Sequence, residues 1–270
     1  MRIAQIVLEG ASEFERKCQR VDFAALSAKH DVIVTDGPPV SADVAHVYGP
    51  SPLPSRPLVG FKIPYVASSA PASRRFALSR PAGPRVIVSP IEVAGPDGQL
   101  LPEAVEEIWF GAGPKRESTP PRNLIASYAR PSIINAVEQA LLRMGRFRDD
   151  IVWNLFDRIP TPDDLAGVDA WVDPAVNQND HDGFVAEAIA AGKVVVASRI
   201  PINAHRLENG RTGFLVPWND PNELTHAILS ALFKPEVARS KIEAAKQTAG
   251  KFRPRQRLRV LERIYETLIQ

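Results

Sequence analysis

Asp180-His181-Asp182-Gly183-Phe184-Val185-Ala186-Glu187-Ala188-Ile189-Ala190-Ala191-Gly192-Lys193-Val194-Val195-Val196-Ala197-Ser198 is followed, nine residues on, by Glu208-Asn209-Gly210-Arg211-Thr212-Gly213-Phe214-Leu215-Val216-Pro217-Trp218-Asn219-Asp220. The first run predicts a helix over Gly183–Ala191 and then a Val-rich strand over Lys193–Ser198. Valine on both faces is the mark of a central parallel strand covered by helices. The second run predicts a strand over Thr212–Val216, and Pro221–Leu232 predicts a helix. A helix between parallel strands is the unit of an α/β fold.

The pattern continues in both directions. Upstream, Asn123–Tyr128, Ile151–Phe156 and Ala170–Asp173 read as strands. Ser132 is placed to cap a helix running to Arg143, with Ile133, Val137, Ala140 and Leu141 on one face. Thr161-Pro162 opens a short helix, with threonine at the cap and proline at the first position. Downstream, helices are expected over 235–248 and 255–269. Residues 123–250 thus form one doubly wound unit. A second begins at the N-terminus, with strands at Ile3–Leu8, Asp31–Thr35 and Asp43–Tyr48 and a helix from Glu13 to Ala28. Shorter strands follow at Tyr65–Ser68 and Arg85–Val88, with a short helix at Ala72–Leu78. The chain therefore reads as α/β, with two doubly wound Rossmann-like domains: 1–112, a linker over 113–122 rich in turn formers and charge, and 123–250. A last helix over 251–270 is expected to pack back across the domains.

Composition agrees and excludes other classes. The chain has 270 residues, 44% of them hydrophobic and 24% charged, which is ordinary for a folded globular protein. A formal charge of +2 is too small for a protein organised around nucleic acid. No apolar window reaches membrane-spanning length. The single cysteine, Cys18, excludes an internal disulfide and fits a reducing cytoplasm. Of 25 prolines, sixteen lie between Pro38 and Pro121, so the two halves are built differently.

The two opening runs resemble the C-terminal domain of group 1 (family 4) glycosyltransferases, which have the GT-B fold. The family pattern is a glutamate, seven residues, a second glutamate, then a small-residue run into Pro-Val-Val-Ala, and later Asn/Asp-Gly-x-x-Gly-x-Leu-Val. The resemblance weakens back to Asn123 and is faint over residues 1–110. It implies two domains facing across a cleft and the transfer of a sugar, with retention, from a nucleotide-sugar donor such as a UDP- or GDP-sugar.

It also implies site residues. Glu187 matches the second glutamate, which accepts hydrogen bonds from the ribose diol. Arg130 matches an arginine that grips the diphosphate, as a guanidinium can do bidentately. The amides around Asp182, Gly183 and Phe184 would form an anion or sugar-oxygen site at a helix start. Arg158, in the turn Arg158-Ile159-Pro160, matches the loop that reads the base. Asn179 stands where the first glutamate falls and, with His205, is assigned to the catalytic position.

Departures accompany these matches. A lysine five residues after the arginine is replaced near Asn135. The opening loop Glu9-Gly10-Ala11-Ser12 holds one glycine rather than two. His46 ends a strand at the level of a donor-contacting histidine, although its plain reading is a core residue. The readings left open are a transferase, a catalytically silent nucleotide- or partner-binding relative, and a nucleotide-sugar epimerase of GT-B fold. No metal is expected, since the adjacent Asp180-His181-Asp182 cannot converge on one ion, and no cofactor beyond the donor. The acceptor is a saccharide, a lipid-linked molecule or a small molecule. From Arg239 to Gln270 nine Lys/Arg stand against three Glu. This basic run could hold a cytoplasmic protein peripherally at the inner face of a membrane, or simply flank a packed helix.

Overall fold

The computed structural model describes residues 1–35, 41–49, 65–69, 85–89, 98–110, 123–145, 148, 150–175 and 183–270. The chain divides into two compact units, Met1–Glu106 with Lys251–Gln270, and Glu107–Gly250. The division falls ahead of the linker expected over 113–122, which lies outside the described residues, as does the helix expected at Ala72–Leu78.

In the first unit, strands β1 (Arg2–Val7), β2 (Asp31–Thr35), β3 (Val44–Gly49), β4 (Tyr65–Ser69), β5 (Arg85–Ser89) and β6 (Gly98–Leu100) form one sheet in the order β2-β1-β3-β4-β5-β6. Every pairing is parallel. The three-residue β6 was not anticipated, because a run that short carries no periodicity. Helix α1 (Glu13–Leu26) starts where the sequence sets a capping box: the Glu15 carboxylate accepts from the Ser12 amide at 2.6 Å.

In the second unit, β7 (Asn123–Tyr128), β8 (Ile151–Phe156), β9 (Ala170–Asp173), β10 (Val194–Ser198) and β11 (Phe214–Val216) are ordered β11-β10-β9-β7-β8, again parallel. Helices α2 (Pro131–Met144), α3 (Pro162–Ala166), α4 (Val185–Ala190), α5 (Pro201–Arg206), α6 (Pro221–Phe233) and α7 (Pro235–Thr248) connect and follow them. The core joins strand residues Ile125, Val172, Val194 and Val196 to Ile133, Val137, Leu224 and Ile228 from helices. All lie at the spacing the sequence sets out.

Three local readings change. The N-cap of α2 is Arg130, not Ser132, because Pro131 at the first helical position fixes φ and has no amide to cap. Helix α4 starts at Val185 rather than Gly183, since Phe184 takes the left-handed conformation with φ 54°. Pro201–Arg206, between the two opening runs, is helix. Proline again opens it, and the buried Asn203 ties it down by donating to the Ser198 carbonyl at 3.3 Å.

The last helix, α8 (Pro254–Ile269), belongs to the first unit. Leu261, Ile264 and Tyr265 join Ile3, Leu26, Val44 and Leu101 in its core, with Leu258 and Leu268 packed against them. The apolar face of this helix is therefore buried in the first unit. Among the described residues no helix is long and apolar enough to cross a membrane.

A polar network lies beneath α8. Arg257, 3% exposed, donates to both oxygens of Asp22 at 2.5 and 2.8 Å. The Tyr48 hydroxyl also donates to Asp22, at 2.8 Å. His46 is fully buried, with Nδ1 2.5 Å from the Tyr265 hydroxyl and Nε2 2.7 Å from Ser68 Oγ. Each group finds a partner, as buried polar groups require. Cys18 lies nearby, and burial pushes its thiol up to about 12, so it is not a reactive thiolate.

Candidate functional site

In an open parallel sheet, ligands bind outside the carboxyl ends of the strands, where the strand order reverses. In the second unit that point lies between β7 and β9. Several polar groups gather there. Arg130 follows β7 directly and forms an ion pair with Asp173, the last residue of β9. The arginine side chain is 13% exposed and the aspartate 2%. Asp173 Oδ2 has no hydrogen-bond partner among the described residues. The guanidinium thus stands at the point of strand reversal, held there by a carboxylate that adjacent-residue motifs did not reveal.

Gly183 comes against the same carboxylate. A Cβ on Gly183 would lie 2.2 Å from Asp173 Oδ2, so only glycine fits. The Gly183 carbonyl accepts from Trp171 Nε1 at 2.7 Å, which ties the turn to β9. Phe184 packs edge-on against Tyr128 of β7, with ring centroids 5.0 Å apart. This aromatic contact and the indole bond hold the left-handed turn, a conformation a bulky residue adopts only when its surroundings impose it. Gly183 and Phe184 are therefore a turn before the helix rather than its first turn. Glu187 follows in the first turn of α4 and is 1% exposed.

The other expected residues are placed as follows. Arg158 is exposed after β8 and pairs bidentately with Asp164 at 2.7 and 2.8 Å. Asp164 also accepts from the Thr161 amide at 2.7 Å, completing the capping box of α3. The Arg158 bond holds the Asp164 carboxyl far below the usual carboxylate range. His205 is exposed on α5. Asn179 and Asp182 lie outside the described residues. His46, in the other unit, is a buried network residue whose charge burial and Arg257 suppress.

Sequence reasoning missed Asp173, Ser198, Asn203 and Arg206. Ser198 ends β10, is fully buried, and its hydroxyl has no partner among the described residues. Arg206, 1% exposed, donates to Asn203 Oδ1 at 3.2 Å. The available signal was a polar residue closing an apolar strand, as in Trp171-Val172-Asp173 and Val196-Ala197-Ser198. Among the described residues no group of three or more His, Cys, Asp or Glu could hold a metal ion.

Part of the chain is similar to a known family. Residues 183–248 match the model described as glycosyl transferases group 1. Among solved structures, Anabaena HepE in complex with UDP is 12% identical, with a TM-score of 0.71 over 99% of this chain and 100% of that one. Sucrose-phosphate synthase from Thermosynechococcus elongatus is 13% identical, with a TM-score of 0.72 over 99% of each chain. A glycosyltransferase from Rickettsia africae is 14% identical, with a TM-score of 0.70 over 100% of this chain and 98% of that one. No curated protein sequence matches. The chain thus has the GT-B fold, and its residues 183–248 are similar to the group 1 glycosyl transferases.

Proposed function

We propose that the protein transfers a sugar from a nucleoside-diphosphate sugar to an acceptor and binds the donor at the carboxyl end of the second unit's sheet. One observation carries this reading. The segment with the family match begins at Gly183, which packs on the Arg130–Asp173 pair at the point of strand reversal. A largely buried cation there offers a diphosphate charge-assisted bonds away from bulk water. The diphosphate would draw Arg130 from Asp173, and Glu187 would orient the ribose through its two carboxylate oxygens. Stabilising the leaving diphosphate by fixed positive charge needs no metal. The proposed transfer retains the anomeric configuration and ends on a saccharide acceptor.

UDP is the first probe, because HepE is a UDP complex of the same fold. A thermal-shift series with UDP, GDP, ADP and their sugars should raise Tm for one base. Glu187→Gln should weaken that nucleotide about tenfold or more, as loss of a charged hydrogen-bond acceptor does. No shift with any nucleotide, or unchanged affinity in Glu187→Gln, would sink the assignment. The silent-relative reading draws on Asn179 and Asn135, which replace charged family residues. Nucleotide binding with neither sugar release nor transfer would select it.

A further inference from the structure

A pocket of about 310 Å³ lies along the outer edge of β11, lined by residues that the donor site does not use. Among the described residues β11 is an end strand of its sheet. The Arg199 amide donates to the Val216 carbonyl at 2.7 Å, so Val216 turns its polar backbone toward β10. Successive residues of a strand turn theirs to opposite sides, so Leu215 presents its amide and carbonyl outward, into the pocket.

The walls are charged unevenly. His226 and Glu223 rise from α6 on one side. Arg199 stands at the carboxyl end of β11. Lys241 stands at the other end, where its ammonium donates to the Gly210 carbonyl at 2.7 Å and lies 4.7 Å from the Phe214 ring centroid. The groove thus has a cation at each end and a single carboxylate. Two copies of this chain paired antiparallel about Leu215 would set the Arg199 end of one against the Lys241 end of the other. Like charges opposed in this way disfavour self-association.

We propose that the β11 edge takes up an extended acidic peptide segment of a partner protein as an added strand. The Leu215 amide and carbonyl supply the main-chain bonds, and Arg199 and Lys241 select negative side chains.

The full chain is tested by fluorescence anisotropy with a labelled octapeptide alternating valine and glutamate, and with its lysine counterpart. The acidic peptide should bind at least about tenfold more tightly, and less tightly at high salt. Leu215→Pro deletes the outward amide without touching the bond to β10, and proline is tolerated on an edge strand. It should lower affinity about tenfold at unchanged Tm. Arg199→Glu, at an exposed position, should shift preference toward the lysine peptide even if Leu215→Pro fails to fold. No binding, equal binding of both peptides, or undiminished binding by folded Leu215→Pro would overturn the proposal. So would a wild-type dimer that Leu215→Pro dissociates, since the edge would then serve a second copy. The nucleotide thermal shift, run on the same variants, reads the donor site separately.

Discussion

Gly183 shows how one residue carries both the turn and the site. Its missing side chain lets the chain pass against Asp173, whose other oxygen holds Arg130. Gly183→Ala forces a methyl into a carboxylate that is 2% exposed and already packed. Its expected cost is about 1–3 kcal/mol, the usual range for overpacking, with a lower Tm by calorimetry. Nucleotide affinity should fall too, because Arg130 shifts with its partner. A variant with wild-type Tm and affinity would show that the turn has slack. At this scale the sequence shows what is contiguous: Gly183, Phe184 and Glu187, the proposed donor contacts, stand within five residues. Asp173 was not, because it meets Arg130 only through the pairing of β7 with β9, across 43 positions.

At the scale of elements, α8 shows a periodic face doing one job with residues from a basic run. Its apolar stripe enters the first unit's core, and Arg257 enters with it because Asp22 neutralises it there. Losing one member of such a buried pair typically costs about 3–5 kcal/mol. Tyr265 of the same helix bonds His46, which also faces Tyr48, the donor to Asp22, and lies near Arg257. Burial first, and the Arg257 charge second, hold His46 well below its ordinary 6.5. The unfolded chain therefore binds a proton that the folded chain refuses. The stability this contributes is complete above about pH 6.5 and is lost as pH falls below it, by up to about 1.4 kcal/mol per pH unit. Tm measured from pH 8 down to 5 should fall more steeply for wild type than for His46→Gln. Parallel curves would contradict the assignment. The helix itself was legible from its spacing. Arg257's burial was not, since one arginine among several gives no sign of which will find Asp22.

For the whole molecule, the chain leaves its first unit after Glu106 and returns to it at Lys251. A chain ending at Gly250 should lose the first unit selectively. It forfeits Leu261, Ile264 and Tyr265 from that core, at roughly 1.5–3 kcal/mol for each buried side chain. Their sum is comparable with the total stability of a domain. Hydrogen exchange should show β1 and β3 unprotected while β9 and β10 stay protected. Equal protection in both units would refute the dependence. The sequence by itself determined the α/β class, most of the strands and helices of the second unit, and the stretch that carries the family match. These rest on local periodicity, caps and turn residues, which neighbouring positions encode. Tertiary structure alone decided that Arg130 meets Asp173, that His46 and Arg257 are buried in one polar network, and that β11 is an end strand among the described residues. The physical reason is that each of these depends on strand order and helix docking, which bring distant residues together and which no local pattern specifies.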